Sequence, residues 1–170
     1  SPFGINWHSS GIILGQGRKG IVRCSPNGGP AEQLATVRPD ELAHAPQLLP
    51  DGEHLLFTVV KAGLSPTTNW DRAQVVVQSL KSGRRTTVVE SGSDARYLST
   101  GHLVYLVGGV LFARPFSLRE LQLTGSGAPV IEGIRRGGGV TVQSTRLFNS
   151  AQMSVSENGT LVYVPGPSAP

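Results

Sequence analysis

Four segments of the chain repeat one pattern: an apolar residue, a short polar turn carrying glycine, then three apolar residues. They are Trp7-His8-Ser9-Ser10-Gly11-Ile12-Ile13-Leu14, Leu49-Pro50-Asp51-Gly52-Glu53-His54-Leu55-Leu56-Phe57, Leu98-Ser99-Thr100-Gly101-His102-Leu103-Val104-Tyr105 and Val155-Ser156-Glu157-Asn158-Gly159-Thr160-Leu161-Val162-Tyr163. The turn chemistry predicts hairpins. Pro50 presets φ, Asp51 can bond its own backbone and Gly52 accepts positive φ. After each apolar triplet of the first three segments comes a second strand-like run: Ile21-Val22-Arg23, Val75-Val76-Val77 and Val110-Leu111-Phe112. These runs are rich in the β-branched and aromatic residues that strands favour. Third runs, Glu32–Ala35, Thr86–Val89 and Ala128–Ile131, close the units. Counting the strand that leads into the first turn, each unit has four strands.

The turn glycines 11, 52, 101 and 159 recur at intervals of 41, 49 and 58. A four-stranded propeller blade runs about 40 to 50 residues, so the first two intervals fit and the third carries an insertion. Such units cannot bury both sheet faces alone and must stack. The expected fold is all-β, a partial β-propeller of about three and a half four-stranded antiparallel blades in a single domain, 1–170. Blade one spans 1–37, blade two 44–91 and blade three 94–134, and 146–166 supplies the first hairpin of a fourth. Residues 137–144 read as a loop or insertion, and the Pro-rich tail 165–170 as a fraying end. Closed propellers need about 4 to 8 blades. Either these residues belong to a longer chain or a second copy completes the ring. The second is expected, as a homodimer or homo-oligomer covering the open edges.

The Leu49-Pro50-Asp51-Gly52 turn followed by Leu55-Leu56-Phe57 resembles the WD40-like repeat of the propellers related to TolB. From Trp7 to Gly166 the chain is similar to the propeller region that follows the kinase domain and membrane segment of many bacterial serine/threonine kinases. The similarity is carried by Gln74–Gly83, Ala95–Tyr105 and Val155–Gly166. The resemblance implies a sensor or assembly role on the extracytoplasmic side of a bacterial membrane. Propellers of similar repeat also form the accessory domain of prolyl-oligopeptidase-like peptidases, which is the alternative reading.

Composition agrees with a turn-rich β protein: Gly 22 and Pro 12 make up a fifth of the 170 residues, and 38% hydrophobic against 15% charged residues suffices for a core. No stretch approaches the roughly 20 apolar residues of a membrane helix. Ser1-Pro2-Phe3-Gly4 lacks signal-peptide features, and without an initiating Met it predicts a trimmed N-terminus. The net charge of +4 comes from 15 basic residues scattered along the chain, which argues against a nucleic-acid partner. Cys24 is alone, so no intramolecular disulfide forms.

Most motifs that could carry chemistry have plainer explanations. Gly15-Gln16-Gly17-Arg18-Lys19-Gly20-Ile21-Val22 fits a kinase phosphate loop, but no H-R-D or D-F-G accompanies it, and the repeat places it in a hairpin turn. Histidines 8, 44, 54 and 102 lack metal-ligand spacing, so no metal or cofactor is expected. His54 and His102 fall at equivalent blade positions, which favours structural roles. No G-x-S-x-G nucleophile occurs, and although Asp40, Glu41, Asp51, Asp71 and Asp94 include enough carboxylates for a glycoside-cleaving pair, two of them sit in turn contexts where Asp is ordinary and the non-catalytic reading is preferred. The sequon Asn158-Gly159-Thr160 coincides with a repeat turn.

Two breaks in the pattern are the candidate binding surfaces. The loop 61–72 presents Trp70 beside Asp71 and Arg72, an exposed aromatic anchor flanked by charges. Arg135 and Arg136 lead into Gly137-Gly138-Gly139, a flexible cationic loop able to hold an anion. The expectation is a non-catalytic binding module, not an enzyme, with a protein or peptide partner or a small ligand.

Overall fold

The computed structural model describes residues 4–61, 70–137, 150–156 and 159–166, and every regular element among them is a strand. The first sheet runs β1 (Ile5–His8), β2 (Gly11–Gly15), β3 (Ile21–Cys24) and β4 (Glu32–Ala35), each antiparallel to the next. The second runs β5 (Glu41–Leu48), β6 (His54–Lys61), β7 (Gln74–Ser79) and β8 (Arg85–Val89) in the same order, opening three residues ahead of the expected boundary at 44. The third comprises β9 (Ser93–Leu98), β10 (His102–Val107), β11 (Val110–Ser117), β12 (Gln122–Leu123) and β13 (Ala128–Ile131). Here the long β11 pairs with both short strands, β12 at its C-terminal end and β13 at its N-terminal end. A hairpin of β14 (Met153–Val155) and β15 (Leu161–Tyr163) starts the fourth. Much of the expected loop 137–144, and Asn158 of the sequon, lie outside the described residues.

The turn chemistry is local and visible. Asp51 Oδ1 accepts hydrogen bonds from the backbone N–H of Glu53 and His54 at 2.9 and 3.0 Å, and Gly52 turns the chain at φ 69°. A side chain at Gly52 would be strained in that left-handed region, although the space around it is open. Gly101 and Gly159 occupy the same turn of their sheets at φ 80° and 86°. Gly17 and Gly20 lie in the β2–β3 hairpin, where the Gln16 N–H reaches the Gly20 carbonyl at 2.8 Å; the phosphate-loop pattern is a turn.

Three apolar cores lie between successive sheets. Ile13, Ile21, Leu55 and Phe57 join the first to the second; Leu56, Val75, Val77, Leu103 and Tyr105 join the second to the third; Leu106, Leu111 and Ile134 join the third to the hairpin. The position of a sheet in the arc explains its burial pattern. Sheets two and three are covered on both faces, so β6 and β10 are buried along nearly their whole length, whereas burial alternates along β2 because only one of its faces is fully covered. At the ends of the arc, large apolar side chains face solvent: Ile5 and Trp7 on β1, and Val162 and Val164 on the hairpin, with Trp7 72% exposed.

Candidate functional site on the inner strands

The first strand of each sheet lies innermost. Together β1, β5, β9 and β14 line one cavity of about 720 Å³. Two of these strands carry the same irregularity. In β5 the register passes from His44↔Thr58 to Gln47↔Leu56, so Ala45 and Pro46 face Phe57 alone. In β9 it passes from Ser93↔Leu106 to Arg96↔Val104, so Asp94 and Ala95 face Tyr105 alone. The first unpaired residue of each bulge adopts positive φ, 50° for Ala45 and 55° for Asp94. Non-glycine residues rarely take that conformation, and bulges re-aim side chains beside functional sites. Gly4, at φ 88°, lies so close that a Cβ on it would come within 2.7 Å of the Ala45 backbone.

Polar residues of β1, β5 and β9 tie neighbouring sheets together. Asn6 Oδ1 accepts from the Leu48 N–H at 3.4 Å. Gln47 donates to the Tyr97 carbonyl at 3.1 Å and accepts from its N–H at 2.7 Å. By register, Arg96 is the next residue in this series. One of its terminal nitrogens donates to the carbonyls of Ala45 and Ala95 at 2.9 and 2.8 Å. Burial lowers the Arg96 pKa and the nearby Asp94 charge partly offsets that shift.

Behind this ladder is a buried charged cluster. His44 and Asp94, 4% and 6% exposed, pair at 2.7 Å through Nε2 and Oδ1. The Asp94 N–H donates to Thr58 Oγ1 at 3.0 Å, and its Oδ2 accepts from Ser93 Oγ at 2.8 Å. Ser93 therefore commits its proton to Asp94, and the three side chains do not form a nucleophile relay. Arg136 enters from the fourth sheet, where it bridges Ala151. Its guanidinium donates to Ser93 Oγ at 3.0 Å, lies 3.4 Å from Asp94 Oδ2, and pairs with Asp71 at 2.8 Å. Burial works against ionisation of Asp94. The His44 ring, the Arg136 charge and the Ser93 hydroxyl outweigh it and hold the carboxyl at about 2, below its ordinary 3.8.

The residues singled out from sequence divide into two groups. Asp71 and Arg136, chosen from separate loops, meet. Arg72 and Arg135 are exposed and stand apart from that pair. Trp70 is not the exposed anchor expected of it. It is 1% exposed, packs with Val60 and Ala73, and sets its ring edgewise to His44 at a centroid distance of 4.8 Å. Nor is Arg136 a solvated loop cation, being 3% exposed. The apolar environment of the loop base draws Trp70 inward, and two carboxylates hold Arg136. Sequence reasoning missed His44, Asp94, Arg96 and Gln47, because spacing along one chain does not reveal a pairing made across stacked sheets. His54 and His102 cap their turns, bonding Asp51 and Thr100 respectively. Among the described residues no group of three or more His, Cys, Asp or Glu is placed to hold a metal ion.

No family model matches the sequence, and neither does any curated protein. Among solved structures, a luciferin-regenerating enzyme superposes with a TM-score of 0.59 at 9% identity, over 94% of this chain and 53% of its own. Regucalcin from Agrobacterium tumefaciens strain C58, described as a calcium-binding protein, gives 0.54 at 11%, over 94% and 50%. The chain thus spans about half the length of the solved structures it matches. Both neighbours are β-propellers, so the likeness establishes the fold. The expectation that the module is not an enzyme is overturned: its architecture over nearly the whole chain is that of a protein named for catalysis. The chain is a partial β-propeller with a polar cavity on its inner strands.

Proposed function

We propose that this propeller segment binds a small polar molecule, as ligand or substrate, in the cavity between β1, β5, β9 and β14. One observation carries the reading: β1, β5 and β9 deliver Asn6, Gln47, Arg96 and the His44–Asp94 pair to a single cavity that β14 also lines, with β5 and β9 bulged at matching positions. Its size suits a small-molecule site, and a few convergent polar groups on apolar walls are what such sites present. Asp71, Arg136 and Trp70 act from behind, fixing Asp94 and His44. The sequence resemblance to kinase-linked propellers supports placing this binding upstream of a sensor or assembly response. The apolar ends of the arc, Ile5 with Trp7 and Val162 with Val164, support their cover by a second copy.

The test is a thermal-shift screen of polar metabolites against the native chain and Ser154→Phe. Ser154 is an exposed residue of β14 that lines the cavity, so the variant fills the site without touching the cores. Compounds that raise the melting temperature of the native chain are expected to lose that effect in the variant. Hits that stabilise both equally place the site elsewhere.

A further inference from the structure

We infer that the cavity selects ligands bearing a carboxylate and that Arg96 is the residue that recognises it. This rests on the proposed binding cavity and adds the chemical class of its occupant. Among the described residues, Asp94 is the one acidic residue lining the cavity. Both its oxygens are already taken, Oδ1 by His44 and Oδ2 by Ser93 with Arg136 close by. Its negative charge is already matched by the Arg136 guanidinium. Gln47 spends both ends of its amide on Tyr97.

Arg96 differs. One terminal nitrogen holds the Ala45 and Ala95 carbonyls, which fixes the plane of the guanidinium. Its Nε–H and second terminal nitrogen make no hydrogen bond to the described residues, and the side chain lines the cavity. Nε and a terminal nitrogen form the fork that meets two carboxylate oxygens with parallel hydrogen bonds, an arrangement a lysine does not reproduce. The partial burial of Arg96 strengthens such a contact, because charge is screened less there than in open water. Trp7 and Tyr97 on the same walls supply aromatic surface for the body of the ligand.

The experiment titrates the intact chain with benzoate, benzamide and inorganic phosphate, following backbone amides and the arginine Nε–H signals by heteronuclear NMR. Benzoate is expected to shift Arg96 Nε–H and the Tyr97 amide at least ten times more tightly than benzamide, its uncharged counterpart of nearly equal size. Arg96→Gln should abolish that preference and Arg96→Lys should retain only part of it. The wild-type comparison stands even where a variant folds poorly. Equal binding of benzoate and benzamide within the cavity overturns the carboxylate assignment and leaves the cavity reading standing. Tighter binding of phosphate than of benzoate overturns it in favour of a phosphoryl ligand. No shift at any inner-strand amide with any probe counts against both.

Discussion

Arg136 and Asp71 lie 65 residues apart in sequence and meet at 2.8 Å, joining the loop before β7 to the segment that enters the fourth sheet. Asp71 Oδ1 also accepts from the Gly108 N–H at 2.9 Å, so one carboxylate ties the second sheet to the third and fourth. Three elements of the arc are thereby fixed behind the inner strands.

Breaking that tie has unequal costs at its two ends. Arg136→Gln leaves Asp94 buried without its cation and should destabilise by about 3 kcal/mol or more, in the range for splitting a buried pair. Asp71→Asn removes a partner that is about a third exposed, and should cost about 1 kcal/mol. Urea unfolding of both single variants and the double variant measures the coupling; strict additivity would show that the contact is not formed in solution.

Acid should weaken the fold in a defined window. Asp94 is held at about 2 when folded and titrates near 3.8 when exposed, so both states carry the charge above about pH 4 and the stabilisation is complete there. As pH falls from about 4 to about 2 the unfolded chain takes up the proton first, and about 2 kcal/mol is lost. Asp94→Asn should flatten this part of the profile in chemical unfolding followed against pH.

Two substitutions at the bulge should act in opposite directions. Ala45→Gly relieves a left-handed conformation that costs alanine about 1 kcal/mol, and should be neutral or slightly stabilising. Gly4→Ala drives a methyl into the Ala45 backbone and should lower the melting temperature by several degrees. A loss of stability in Ala45→Gly larger than in Gly4→Ala would contradict the bulge geometry.

Trp70 offers a test of burial against exposure. Trp70→Phe keeps an aromatic edge against His44 and deletes an indole N–H that is buried with no acceptor among the described residues, so it should cost less than about 1.5 kcal/mol. Trp70→Ala should cost about 3 to 5 kcal/mol. An exposed anchor would tolerate both in unfolding experiments.

The architecture was legible because each of its signals is local. Pro50, Asp51 and Gly52 build their turn from neighbouring atoms, and Leu55 to Phe57 form an apolar run because sheets cover them on both sides. The site was legible only in fragments. Asp71 and Arg136 stood out as charged residues where the repeat breaks, but nothing in their spacing foretold that they meet. The His44–Asp94 pair spans 50 residues and exists because two sheets stack and each carries a bulge. Asp94 at φ 55° is a conformation that its sequence neighbours do not announce. Trp70 looked exposed because its neighbours are charged, whereas its environment is set by Val60 and Ala73.

The most direct test of the central claim, that the inner strands form the binding site, is amide chemical-shift mapping with a library of small polar fragments. The account predicts that perturbed amides gather at Asn6, Gln47, Tyr97 and Ser154. Perturbations gathered instead around the exposed Arg72 or Arg135, with the inner strands silent, would contradict it.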